Sequence, residues 1–429
     1  MLKILRTFNG QTWCGAALLL VLGAVCTPTF HADTQSYLDH AIVRAPGYPL
    51  LLDAAQLLAG LHWPRLITLL QGALAGWTMR HLTLALRARF AIPPGLALFL
   101  GALAALPQLV WIPSLLTESV GHSLFLVLLA ALLRATLTQP VRQFAIAALA
   151  LALSIAIRPH FVFVGPVLWL PALALAWQAR SRRLAVQLCG LTLGAVLAGT
   201  CGQVLGNGVT HGLPVRSAAL GMHAAAVQLY LATPQELATL QQPGDQAIVA
   251  PLGRFMLDKR LFSGSVPGAT DTVDGFNLAF DGIIYAGLVP QARVRLGHEV
   301  LTAADWLELD RVGKHLAARL ARQHPMAFVR HVAQQLYAGG ALLVLTLASV
   351  LWGAWTALRR QSPEGLLLAT VSVLALANHL EVALVQVTRM RYVMSTDLAL
   401  VVVVLAIVGR ERTPGLDAAP DARAPAPFA

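Results

Sequence analysis

The chain has 429 residues, 57% of them hydrophobic and only 12% charged, with a formal net charge of +11. A soluble domain carries roughly twice that charged fraction, so a soluble protein is excluded. The long polar stretch 207–334 is nearly balanced, with 11 basic and 10 acidic residues against 20 and 10 elsewhere; the excess sits beside apolar runs, and no Lys/Arg block interleaved with aromatics offers a nucleic-acid surface.

The apolar runs fall at 12–29, 64–85, 92–111, 117–135, 142–157, 161–178, 184–206, 335–357, 365–381 and 393–409. They predict an all-α polytopic membrane protein with about ten transmembrane helices. The first run follows Lys3 and Arg6 as in a signal peptide, but Phe30 stands where cleavage wants a small residue. An uncleaved first helix is therefore expected. Basic residues cluster in alternate loops: Lys3 and Arg6; Arg80, Arg87 and Arg89; Arg134 and Arg142; Arg180, Arg182 and Arg183; Arg359 and Arg360; Arg410 and Arg412. The positive-inside rule puts these loops and both termini in the cytoplasm of an inner (plasma) membrane protein. Segments 30–63, 111–117, 158–160, 207–334 and 382–392 then face outward.

Residues 1–206 thus hold spans one to seven and the first outer loop 30–63, and residues 335–409 hold spans eight to ten. Between them, 207–334 is expected to form a small mixed or mainly helical outer domain. Its second half reads as helix, with Leu309, Val312, Leu316 and Leu320 at helical spacing and Thr302 with Asp305 as a cap. Gly and Pro scattered through 243–290 predict irregular structure there. Residues 410–429 read as a disordered cytoplasmic tail. Cys14, Cys26, Cys189 and Cys201 all sit in apolar runs, so neither a disulfide framework nor a metal-ligand spacing is present.

Acids near a bilayer are costly, and their positions are informative. Outside 207–334, Glu364, Glu411, Asp417 and Asp421 fall on the cytoplasmic side; Asp33, Asp39, Asp53, Glu118, Glu381 and Asp397 fall in outer loops or toward outer helix ends. An ion-coupled transporter would place an acid near the midplane, and none is expected there. Arg44, Arg158, Arg389 and Arg391 lie on the same outer face. Acids and arginines at headgroup level suit a substrate that is a lipid phosphate ester.

The first outer loop reads His31-Ala-Asp-Thr-Gln-Ser-Tyr37-Leu-Asp-His-Ala41, then Arg44-Ala-Pro-Gly-Tyr-Pro-Leu50. This resembles the signature of the GT-C superfamily of integral-membrane glycosyltransferases, including protein O-mannosyltransferases and lipid A aminoarabinose transferases (family 39-like). Thr117-Glu118, Arg158-Pro159, His324-Pro325 and Arg391-Tyr392 follow in order as weaker matches. The sequence departs from the pattern at Thr34, where mannosyltransferases often carry a second acid, and at Ala45, which separates Arg44 from its proline. The resemblance implies a polyprenyl-phosphate sugar as donor, an inverting displacement, and an acid as base. It places Asp33 at the catalytic-acid position and Glu118 near a second acid. The acceptor would be an envelope glycan, lipid or protein, in contact with membrane lipid. The residues name no cofactor and leave open whether a divalent cation assists.

On this reading Asp33 takes the acceptor proton, Glu118 assists, and Tyr37, Arg44, Arg158, Arg389 and Arg391 contact substrate or its phosphate. Each has a plainer explanation. Asp33 would cap a helix, Glu118 would favour a helix start, Tyr37 would join the interfacial aromatic belt, and the arginines would snorkel to headgroups. Pro46, Gly47, Tyr48 and Pro49 read as architectural, Glu381 and Asp397 as supports for Arg389 or Arg391, and His31, His40 and His160 as polar loop residues. The rival class is a transporter or flippase for a lipid-linked saccharide. The topology has a direct test. A cysteine at Ser263, with the native cysteines replaced, should react with an impermeant thiol reagent on intact cells; reaction only after lysis would invert the topology.

Overall fold

The computed structural model describes residues 8–137, 139–239, 243–338, 340–385 and 390–411. Among these residues the chain is helical without strands, because an apolar segment in hydrocarbon must pair its own backbone groups. Helix α1 (Phe8–Val25) leads into two helices of the first polar segment, α2 (Ala32–Leu38) and α3 (Gly47–Ala59). Then come α4 (Trp63–Phe90), α5 (Pro94–Ala105), the single turn α6 (Gln108–Trp111) and α7 (Thr117–Ala135). The helices α8 (Pro140–Ile157), α9 (Val164–Gln178, entered through a 3-10 turn at Pro159–Phe163) and α10 (Arg182–His211) complete the first half. A second unit contains α11 (Leu220–Leu231), α12 (Pro234–Ala238), α13 (Pro243–Asp258), α14 (Thr272–Asp281), a π-helical turn (Gly282–Leu288), α15 (Val289–Leu296), α16 (Ala303–Gln323) and α17 (Pro325–Tyr337). The chain returns to the bundle with α18 (Ala341–Arg360), α19 (Pro363–Val385) and α20 (Met390–Glu411).

Eight helices among the described residues are long and apolar enough to cross a membrane: α1, α7, α8, α9 with its leading turn, α10, α18, α19 and α20. The remaining two expected runs differ in kind. α4 has 28 residues, ample length, but carries Arg65, Arg80, Arg87 and Arg89. The run 92–111 is divided into α5 and α6, because Pro107 has no N–H to continue the α5 ladder. Helix α7 is the centre of the bundle: 89% of its most apolar window is buried, as expected of a helix apolar all round. It packs on α4 and α8, and α8 on α10. α1 lies against α4 so closely that a methyl on Gly23, Gly72 or Gly76 would run into the partner backbone. At one end of the bundle Glu364 accepts hydrogen bonds from Arg89 Nη1 (2.9 Å) and Arg410 Nη1 (2.8 Å), tying α4, α19 and α20 together.

The second unit has its own core, including Tyr230, Phe276, Phe280, Leu309, Leu316 and Leu320. The expected cap is present: Thr302 Oγ1 accepts from the Asp305 amide, and the Asp305 carboxylate accepts from the Thr302 amide. The expectation of irregular structure over 243–290 is corrected, because α13, α14 and the π-helical turn occupy most of it. Pro243 starts α13, Gly264 (φ +78°) and Gly268 (φ +77°) lie in the turn before α14, and Pro251 is accommodated inside α13. Of residues 410–429, read as a disordered tail, Arg410 and Glu411 instead continue α20, because the helix runs past the apolar run, and 412–429 lie outside the described residues.

α11 and α16 cross at Gly221 and Gly313, where a Cβ on Gly313 would stand 2.6 Å from the Gly221 carbonyl. Gly313→Val should therefore destabilise the second unit by about 1–3 kcal/mol through overpacking. Thermal unfolding of the purified protein in detergent would read this, and a wild-type transition would show that the crossing has slack.

Candidate functional site

After α1 the chain runs extended to α2, and Thr29 pairs with the segment just before α7. Its N–H donates to the Pro113 carbonyl (2.8 Å), and its carbonyl accepts from the Leu115 N–H (3.0 Å). Thr34 Oγ1 donates to the Leu115 carbonyl (3.2 Å) and accepts from the His31 N–H (2.9 Å). These bonds set the start of α2 beside the start of α7, so that Asp33 and Glu118 line one cavity of about 340 Å³. Thr34, where the resemblance would allow a second acid, is buried in this joint and is a structural residue. The N-cap of α2 is His31; Asp33 lies in the first turn and is not the cap.

The cavity gathers five of the seven residues singled out from the sequence: Asp33, Tyr37, Arg44, Glu118 and Arg158. Arg44 Nη2 pairs with Asp33 Oδ1, its Nε donates to Ser36 Oγ (2.8 Å), and its guanidinium lies 4.9 Å from the Tyr37 ring centroid. Burial pushes the Tyr37 hydroxyl above its usual pKa, against the opposing pull of Arg44, so Tyr37 stays a phenol. Burial also acts to lower the Arg44 pKa, but Tyr37, Asp33 and Tyr285 outweigh it and raise it further. Arg158 ends α8, because Pro159 cannot continue the ladder. Its stem lies over Gly121 of α7, and its Nη1 stands 3.8 Å from Glu118 Oε1, with both side chains largely buried. Pro46 and Gly47 are architectural as expected: Gly47 sits against the last carbonyls of α8, and Pro46 against Gly206 of α10.

The opposite wall comes from the second unit and its approach: Arg216, His223, Tyr285, Trp306 and Lys314. Ala218 N–H donates to the Ile42 carbonyl (3.0 Å), which holds that wall to the first polar segment. Lys314 is paired with Asp310 at 2.6 Å. Tyr285 reaches the cavity from the π-helical turn Gly282–Leu288. None of these five was singled out from the sequence, because their common direction depends on the fold of the second unit. Gln203 and His160 also line the cavity.

The remaining candidates separate. Arg389 lies outside the described residues, as does the side chain of Arg391. Asp397, read as a support for one of them, pairs with His379 of α19 at 2.8 Å. Glu381, read in the same way, lines the cavity. Of the three histidines read as loop residues, His31 meets Ser114 Oγ (3.1 Å), His40 meets Asp53 (3.0 Å), and His160 packs on Phe161 at the cavity. Among the described residues no three His, Cys, Asp or Glu side chains converge on one metal position. No family model, curated protein or solved structure matches the chain.

His223 in the cavity wall and His331 in the second core are both pushed down to about 4 by burial; Arg44 adds to the effect at His223, while Asp310, Asp281 and Asp33 oppose it. An unfolded histidine titrates near about 6.5. Between the two values the unfolded chain takes up protons that the folded chain does not, so stability is full above about pH 6.5 and falls as the pH drops toward 4. Replacing both by Gln should reduce the loss of Tm between about pH 7.5 and about pH 5 by about 3 °C or more. Parallel Tm–pH curves for the two proteins would contradict this.

Proposed function

We propose that the chain is a membrane glycosyltransferase of GT-C type with about ten crossings, α4 and α5–α6 joining the eight apolar helices. It moves a sugar from a polyprenyl-phosphate donor to an envelope glycan, lipid or protein acceptor at the outer face of the inner membrane. One observation carries the reading: Asp33, Tyr37, Arg44, Glu118 and Arg158, singled out by the resemblance and scattered along the chain, line a single cavity. The cavity lies between the helix ends and the second unit, where a lipid-borne donor and a polar acceptor can meet. The clustered Arg89, Arg134, Arg142, Arg182, Arg183, Arg359 and Arg360 sit at the opposite ends of their helices, which favours an outward-facing cavity.

The proposed reaction is a single displacement. The acceptor oxygen attacks the anomeric carbon as its proton passes to the Asp33 carboxylate. The bond from that carbon to the phosphate oxygen breaks, and prenyl phosphate leaves with the electron pair. Arg158 and Arg216 supply positive charge for the growing phosphate charge, and Arg44 holds Asp33 in place. Glu118 orients Arg158.

Asp33→Asn keeps the shape and a hydrogen-bond acceptor for Arg44 but removes the proton acceptor. Because His31 and Thr34 form the start of α2, folding should be unchanged. Transfer from a polyprenyl-phosphate sugar should fall about a hundredfold or more at matched expression. Near-normal turnover would take Asp33 out of the chemistry and make Glu118 the base. Wild-type protein that transfers no sugar but moves lipid-linked saccharide across a vesicle bilayer would instead identify a flippase.

A further inference from the structure

Among the described residues, the arginines at the end of the bundle opposite the cavity are of three kinds. Arg142, Arg182, Arg183, Arg359 and Arg360 are exposed, as side chains reaching toward headgroups should be. Arg89 and Arg410 share the carboxylate of Glu364. Arg80 and Arg134 fit neither description. Both are half-buried, and no carboxylate among the described residues pairs with either.

Packing puts them together. α1 and α4 approach closely at Ala16 and Gly76, which sets Trp13 of α1 over Arg80 of α4, one turn away. The Arg80 guanidinium stands 4.2 Å from the Trp13 ring centroid. α7 also packs on α4, and Arg134 Nη2 donates to the His81 carbonyl (3.2 Å) and faces His81 Nδ1 at 3.4 Å. The His81 ring meets Trp77 at 4.3 Å. The charges of Arg80 and Arg134 oppose each other, and both oppose a proton on His81; no acid acts on Arg134 or His81. Each arginine lies about 25 Å along its helix from the end nearer the cavity, at 1.5 Å per residue. The hydrocarbon core of a bilayer is about 30 Å thick, so both stand near headgroup level of the far leaflet. Trp13 (56% exposed) and Trp77 (45% exposed) flank them as interfacial tryptophans do.

Two half-buried cations held side by side without an acid are unfavourable until an anion joins them. The His81 carbonyl bonds one of them but brings no charge. A phosphate accepts from both guanidiniums and neutralises them. At this depth the phosphate is that of a phospholipid, and the paired cations repel a headgroup that carries an ammonium. We propose that Arg80 and Arg134, with His81, bind the phosphate of an anionic phospholipid in the cytoplasmic leaflet. Its phosphate ties α4 to α7, as Glu364 ties α4 to α19 and α20. The site lies apart from the cavity and does not rest on the glycosyltransferase reading.

The test counts lipids on the purified full chain in detergent by native mass spectrometry. Phosphatidylglycerol is compared with phosphatidylcholine of the same acyl chains for wild type, Arg80→Gln, Arg134→Gln and Arg360→Gln. Wild type should bind phosphatidylglycerol about tenfold or more tighter. Arg80→Gln and Arg134→Gln should each lose about fivefold of that preference, the effect of one interfacial arginine, with phosphatidylcholine binding unchanged. Arg360→Gln, exposed on the same face, should keep it. Equal binding of the two lipids by wild type overturns the proposal. A preference that survives in both site variants does the same, as does an equal loss at Arg360, which would show a diffuse attraction to the basic face. Should one site variant fail to fold, the other decides. Inorganic phosphate that displaced phosphatidylglycerol at comparable concentration would make free phosphate the ligand and overturn the headgroup assignment.

Discussion

The site depends on how four carbonyls are paired where the bundle is broken. Between α6 and α7 the chain runs Ile112-Pro113-Ser114-Leu115 without forming a helix, and carbonyls near hydrocarbon must find donors. Gln71, buried in α4, donates to Ile112 (2.8 Å) and Ser114 (3.1 Å). The Thr29 amide takes Pro113, and the Thr34 hydroxyl takes Leu115. Two of these donors belong to the segment that follows α1, so satisfying the break before α7 also docks the first polar loop. Without that docking Asp33 and Glu118 would stand at the starts of unrelated helices.

The charges follow from this joint. Two acids of the site stand beside arginines, Asp33 beside Arg44 of the same polar segment and Glu118 beside Arg158 at the end of the next helix. A carboxylate held at the edge of a membrane bundle needs such a partner, because an unpaired charge there is strongly disfavoured. The far end of the bundle uses the same rule for a different purpose, since Glu364 sits between Arg89 and Arg410 and serves as a tie among three helices. The difference lies in the surroundings: the pairs at the near end line a cavity that is also lined by the second unit.

Apolar run length was enough to read most of the helices from the sequence, because only a helix or a closed barrel can cross hydrocarbon. It misjudged 92–111, where Pro107 splits a run that composition alone reads as continuous; the Gly and Pro of 243–290 misled separately, since they lie in turns, at a helix start and, as with Pro251, inside a helix without preventing it. The first-loop residues were legible because Asp33, Tyr37 and Arg44 lie close together in sequence. Glu118 and Arg158 were legible as charges beside apolar runs. Arg216, His223, Tyr285, Trp306 and Lys314 were not, since each looks like an ordinary polar-domain residue until the second unit turns it toward the bundle. Gln203 did carry a signal, as one of two amides, with Gln187, within the apolar run 184–206. The value of that signal depends on Pro159, which belongs to another helix pair.

Gln71 and Gln203 answer the same physical problem. Each is a buried amide on a long helix, and each donates its nitrogen to carbonyls that a proline-containing break has left without backbone partners. They differ in what becomes of the oxygen. Gln71 Oε1 faces the hydroxyl of Tyr48 at 3.5 Å, so the protein itself supplies a donor, if a long one. Gln203 Oε1 has none, although the residue lines the cavity. Repairing the end of α8 therefore explains the nitrogen of Gln203 but not the position of its oxygen, whereas at Gln71 the protein accounts for both. Both repairs let helices stop at prolines inside the bundle, and the one at Gln203 closes the end of α8 in the wall of the cavity that holds Asp33 and Glu118.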